Sequence, residues 1–299
     1  MTPEPAPTAT AADWWHAARP RTLPAALAPV LAGTGVASYV EDLVWWKALL
    51  ALVVSLALQV GVNYANDYSD GIRGTDDDRV GPMRLVGSGR AAPATVRTAA
   101  FLAFGVAAVA GLVLAATTAW WLVVVGAVCV VAAWFYTGGE KPYGYLGLGE
   151  VMVFVFFCLV AVIGTTYVQT LTWEWPALYA GIGIGALACA ILVANNLRDI
   201  PTDTVAGKRT LAVRLGDERT RAFFAFLVLV AAAAVVAVAA ATTWWALVGL
   251  GFLAVAVPAT RSVLGGADGP ALIPVLGATG KAELVWAVLV AGPLLVLGL

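Results

Sequence analysis

The chain has 299 residues, 61% hydrophobic and 12% charged, with a formal net charge of −1 and a mean hydropathy of +0.89. Soluble domains carry roughly 45–50% apolar and about 25% charged residues, so this composition excludes a water-soluble globular fold. It also offers no basic surface for nucleic acid.

The composition predicts an all-α polytopic membrane protein living in the lipid bilayer. Cys129, Cys158 and Cys189 lie inside apolar runs without metal spacing and read as small core hydrophobes. Residues 1–12, rich in Pro, Thr and Ala, read as a disordered tail, not a cleaved signal peptide. Residues 13–21 place Trp14, Trp15 and the lone His16 beside Arg19 and Arg21. This is an interfacial entry segment, with Trp at headgroup level and Arg toward water. Residues 1–22 therefore form a tail and interfacial segment, and 23–299 a single transmembrane domain.

About nine spans follow, each near the ~20 residues needed to cross the hydrocarbon core. They are predicted over 23–40, 44–66, 95–116, 120–136, 148–168, 177–196, 222–240, 245–263 and 282–298. Long polar loops fill 67–93 and 198–216, and a Gly/Pro connector fills 137–145. With the N-terminus inside, nearly all Arg and Lys fall at the cytoplasmic face, and only Lys47 falls clearly outside.

The second and sixth spans both end in acid. Asn63, Asn66, Asp67 and Asp70 close one; Asn195, Asn196, Asp199 and Asp203 close the other. Asp67/Asp70 at i,i+3 and Asp199/Asp203 at i,i+4 share a helix face. The match gives a weak internal repeat and suggests two pseudo-symmetric helical halves with the site between them. A carboxylate at bilayer depth costs ~2.5 kcal/mol or more unless paired, hydrated or metal-bound. Three readings follow. The acids hold Mg²⁺, which holds a diphosphate; or they serve a cation-coupled transporter; or they are solvated caps, a role that suits Asp76, Asp77 and Asp78. Transport needs ionisable groups near mid-membrane, and the span interiors are almost free of them.

The motifs resemble those of the UbiA superfamily of intramembrane aromatic prenyltransferases. Asn66-Asp67-Tyr68-Ser69-Asp70 is similar to its NDxxD motif, and Asp199-Ile200-Pro201-Thr202-Asp203 to its DxxxD motif. A third Asp often stands four residues after the first motif; here that position is Gly74, and Asp76 is the favoured substitute. Residues 18–24, 66–76, 136–145 and 195–211 resemble the menaquinone branch, the 1,4-dihydroxy-2-naphthoate polyprenyltransferases.

The resemblance implies a nine-helix bundle around a central cavity with cytoplasmic Asp-rich loops, in the cell membrane. It implies Mg²⁺ on Asp67, Asp70, Asp76, Asp199 and Asp203. The substrates would be a polyprenyl diphosphate and 1,4-dihydroxy-2-naphthoate. Pyrophosphate leaves, the ring attacks the allylic cation, and carboxylate is lost to give demethylmenaquinone. Asn63, Asn66, Asn195 and Asn196 would orient ligands or bind phosphate. Arg73, Lys208 and Arg209 would neutralise diphosphate, or serve topology alone. Lys141 would meet the naphthoate carboxylate and Tyr143 a ring hydroxyl, or the two form an interfacial anchor pair. Another aromatic acceptor, such as 4-hydroxybenzoate or homogentisate, is the alternative within the class.

Overall fold

The computed structural model describes residues 8–74, 83–140 and 142–298, and among these there is no β-strand. A short interfacial helix, α1 (Ala11–Ala17), opens the chain. Thr10 and Asp13 form a capping box that satisfies two of its first backbone N–H groups. The bundle follows as α2 (Leu23–Tyr39), α3 (Trp45–Arg73), α4 (Pro93–Thr117), α5 (Leu122–Phe135), α6 (Gly149–Thr170), α7 (Trp175–Val205), α8 (Asp217–Ala241), α9 (Trp244–Leu264) and α10 (Gly269–Leu297).

All nine expected positions carry helix, but the last begins at Gly269 instead of 282, so most of the Gly/Pro-rich stretch expected as a connector over 265–281 is helical. Among the described residues, seven helices, α3, α4 and α6 to α10, are long and apolar enough to cross a membrane. The first predicted span is a helix of 17 residues. The fourth has 14 residues, about 21 Å at 1.5 Å per residue, which is shorter than the hydrocarbon core.

The acidic segments also differ from the expected loops. The helix predicted to end at 66 runs to Arg73, where Gly74 caps it at a left-handed φ of 67°. The helix predicted to end at 196 runs to Val205, through an internal Pro201. Both helices project past their apolar stretches because a helix satisfies its own backbone, in lipid or in water. Asp67, Asp70, Asp199 and Asp203 therefore sit on helix surfaces.

The most buried span is α7, with 72% of its apolar window inside the protein. Its small residues permit this. A Cβ at Gly183 would lie 2.4 Å from Trp286 Cζ2, so only glycine admits the α10 indole there. Trp286 is fully buried and donates its indole N–H to Ala231 O of α8 at 2.9 Å. Opposite, a nine-residue π-helical segment, Val155–Ile163, widens about two turns of α6; π-helical turns recur beside functional sites.

Lys47, the cation expected on the outer side, is buried near the start of α3. Its Nζ donates to Thr117 O at 3.1 Å, Thr118 Oγ1 at 3.0 Å and Val168 O at 2.7 Å. It thus ties the C-terminal ends of α4 and α6 to α3, a placement that also suits the negative ends of their dipoles. Lys47→Met keeps the stem volume but leaves these oxygens without the ammonium. Thermal unfolding in detergent should register a loss of about 1–3 kcal/mol; an unchanged midpoint would refute the tie.

Candidate active site

A cavity of about 2150 Å³ runs into the bundle. That exceeds the roughly 300–1,000 Å³ of a drug-sized pocket. Its mouth is polar and charged, with His16, Arg19, Arg21, Arg84 and Arg198 on the lining. Its interior is apolar, including Val30, Leu58, Leu114, Phe156, Phe157 and Val160. The π-helical segment of α6 supplies the two phenylalanines.

Both acidic helix ends open on this one cavity. From α3 come Asn63, Asn66 and Asp70, and from α7 come Asn195, Asn196, Asp199 and Asp203. Asp70 is buried. Its Oδ2 lies 3.3 Å from Arg84 Nη2, and its Oδ1 accepts the Tyr145 hydroxyl at 2.7 Å. Asp199 accepts two hydrogen bonds from Arg198, from Nε and Nη2, each at 2.7 Å. Asp203 Oδ1 lies 3.9 Å from Lys208 Nζ. That ammonium stands 4.6 Å from the Tyr145 ring centroid, within cation–π range. Tyr145 therefore joins the two ends: its hydroxyl holds Asp70 of α3, and its ring faces the partner of Asp203 of α7.

The four asparagines divide by which amide atoms are already engaged. Asn63 donates to Ala18 O at 2.8 Å and Thr22 Oγ1 at 3.0 Å, pinning the interfacial segment to α3. Asn66 Oδ1 accepts the Thr137 hydroxyl at 2.7 Å, which leaves its N–H groups for a ligand. Asn195 accepts from Arg198 Nη2 at 2.9 Å and donates to Asp199 at 3.3 Å, holding that ion pair in place. Asn196 donates to Glu150 Oε1 at 2.9 Å, which leaves the Asn196 oxygen for the cavity.

The remaining expected residues are distributed as follows. Lys208 lines the cavity. Arg209 is exposed and, among the described residues, is not on the lining; its backbone N–H donates to Tyr145 O at 2.9 Å. Arg73 also lies off the lining. Its guanidinium donates to Thr137 O and Gly139 O and faces the Tyr145 ring at 5.7 Å, so it clamps the 137–145 connector. Tyr143 lines the cavity, but its hydroxyl donates to Ala132 O at 2.8 Å. Burial pushes that phenol up to about 12, so it stays protonated and bound to the backbone. Asp67 is fully buried and turned away from the cavity lining, with Leu85 N at 2.8 Å and Val86 N at 3.0 Å on its two oxygens. Lys141 and Asp76 lie outside the described residues. Sequence reasoning assigned no chemical role to Arg84, Arg198 or Tyr145. For Tyr145 the available signal was its place in the same Gly/Pro connector as Lys141.

The donors facing the cavity are hard oxygens, as Mg²⁺ prefers. Among the described residues, no group of three His, Cys, Asp or Glu side chains is close enough to hold an ion alone. Mg²⁺ is ordinarily held by one or two carboxylates together with substrate phosphates. The residues fit an ion shared with a diphosphate, not a closed protein cage.

Comparison with known proteins shows the family and the fold. The 1,4-dihydroxy-2-naphthoate octaprenyltransferase of Mycobacterium tuberculosis is 58% identical over 286 residues, covering 96% of this chain and 98% of the relative. That of Escherichia coli K12 is 37% identical, covering 72% of each chain. Among solved structures, the apo UbiA homologue of Aeropyrum pernix K1 superposes with a TM-score of 0.70 at 13% identity, over 90% of this chain and 97% of that one. The Archaeoglobus fulgidus UbiA homologue bound to GPP and Mg²⁺ gives 0.67 at 11% identity, over 95% and 99%. The model of the UbiA prenyltransferase family matches residues 26–271, and the chain belongs to that family.

Proposed function

We propose that the protein transfers a polyprenyl group from its diphosphate to 1,4-dihydroxy-2-naphthoate, with loss of carbon dioxide, giving demethylmenaquinone. One observation carries the reading: two acidic helix ends meet at the charged mouth of one large apolar cavity. The charged mouth suits a diphosphate and the apolar interior suits its tail. The acceptor rests on the 58% identical relative, which bears that substrate in its name.

Asp70, Asp199 and Asp203 would hold Mg²⁺ together with the diphosphate, and the ion would supply positive charge to the departing pyrophosphate. Asp76 remains a candidate further ligand. Arg84, Arg198 and Lys208 surround the same mouth, and their charges complement phosphate oxygens. Asn66 turns its amide N–H groups toward phosphate, and Asn196 offers its oxygen to the acid side of the site. Lys141 is assigned to the acceptor carboxylate. The apolar walls exclude water, so an allylic cation meets the electron-rich ring instead of being hydrolysed. Basic residues at the site end favour a cytoplasmic orientation by the positive-inside rule, in a cell membrane. Residues 23–299 act as one catalytic unit.

The test is direct. Purified protein in detergent receives a polyprenyl diphosphate and the naphthoate, with Mg²⁺ or EDTA, and product is followed by mass. The expected product, present only with Mg²⁺, has the mass of prenylated acceptor less carbon dioxide. Transfer only to 4-hydroxybenzoate or homogentisate would overturn the acceptor; counterflow in liposomes without any transfer would indicate a transporter. Asp70→Asn and Asp199→Asn should each lower kcat/KM by about 100-fold or more, with folding retained by thermal unfolding. Tyr145→Phe keeps the ring under Lys208 and removes only the hydroxyl from Asp70. It should lower kcat/KM by about tenfold to 100-fold, and full activity would remove Tyr145 from the site.

A further inference from the structure

We infer that Asp67, although it stands inside the acidic motif, is a positioning residue that anchors the 83–91 segment. In this role it does not bind the metal. The inference rests on the reaction proposed above for its functional consequence, and on geometry alone for the anchor.

Three observations carry it. Asp67 is 0% exposed, and among the described residues it does not line the cavity that Asp70 three positions later does line. Both of its oxygens are engaged by consecutive backbone N–H groups, Oδ2 by Leu85 at 2.8 Å and Oδ1 by Val86 at 3.0 Å. A carboxylate accepting a pair of backbone N–H groups is a strong, directional clasp. One turn on, the backbone has no room for a side chain. A Cβ at Gly71 would stand 2.4 Å from Val86 Cγ1. The helix and the segment are fitted at two successive points.

The clasp has a target. Leu85 is fully buried, and the residue before it, Arg84, carries the guanidinium that meets Asp70 at 3.3 Å. The far end of the segment is held independently. Arg90 pairs with Asp13 of α1 at 2.5 Å, and Ala9 N donates to Arg90 O at 3.0 Å. Asp67 thereby fixes where Arg84 stands relative to Asp70. Neighbouring acids in one motif divide the work: Asp70 faces the ligand, and Asp67 holds the loop that brings its counter-charge.

Hydrogen exchange on metal-free, substrate-free protein tests the anchor without any turnover. Asp67→Ala should speed exchange across 83–91. Asp67→Asn, whose oxygen can still accept one N–H, should fall between Ala and wild type. Gly71→Ala, which displaces Val86 without touching a carboxylate, should reproduce the Ala pattern. In the assay, Asp67→Asn should retain activity to within about tenfold, with one of two acceptors kept. Its half-saturating Mg²⁺ should stay within about twofold of wild type, because no metal ligand changes. Unchanged exchange over 83–91 in both Asp67→Ala and Gly71→Ala overturns the anchor. So does a tenfold or larger rise in the Mg²⁺ requirement of Asp67→Asn, matching that of Asp70→Asn. Wild-type protein that prenylates no acceptor, while Asp67→Ala still deprotects the segment, would overturn the reaction and leave the anchor standing.

Discussion

The hydroxyl and ring of Tyr145 span the gap between two helices that each end in acid. Carboxylates at the edge of a hydrocarbon core must be compensated, yet a site open to a cation and a phosphate, as proposed, could not be filled permanently by its own counter-ions. The compensation here is distributed. Arg84 meets Asp70, Arg198 meets Asp199, and Lys208 stands at 3.9 Å from Asp203 and over the Tyr145 face. Each acid keeps a partner that a diphosphate can also engage. Tyr145, bonded to one acid and stacked beneath the partner of the other, keeps the two sets in register.

That register depends on packing far from the charge. α7 carries Asp199 and Asp203 at its end and runs through the centre of the bundle, where Gly183 lets Trp286 lie against its backbone. α3 carries Asp70 and is tied at its opposite end through Lys47 to α4 and α6. The two acid-bearing helices are thus long rods fixed well away from the site. A rod held at a distance and bridged at its tip positions a side chain more tightly than a loop does.

The acid pairs were legible in the sequence because their cost makes them conspicuous at the end of apolar runs. Helix ends were not. Polar residues after an apolar stretch read as loop, but an α-helix satisfies its backbone regardless of the medium and simply continues through Arg73 and Val205. The direction of Asp67 was equally hidden. Positions 67 and 70 share a helix face by spacing, and only the arrival of Leu85 and Val86 decides that one turns aside. The contribution of Tyr145 was illegible for the same reason, since its partner Asp70 lies 75 residues away in the chain. Residue types pointed to the chemistry. Long-range hydrogen bonds decide which acid faces the cavity.

The interfacial segment completes the logic. Composition marked it as a membrane anchor, and it is also a wall of the cavity through His16, Arg19 and Arg21. Asn63 holds it by Ala18 and Thr22, Tyr64 donates to Trp14 O at 3.1 Å, and Asp13 reaches Arg90. Thr10 and Arg90 hold the Asp13 carboxyl below its usual range, so it remains charged for that contact. All of these ties run to α3 or to the segment that Asp67 clasps. The lipid-facing entrance of the chain and the acid face of α3 are consequently one mechanical unit. The contacts that link α1 to Asp70 run through Arg90, the 83–91 segment and Arg84.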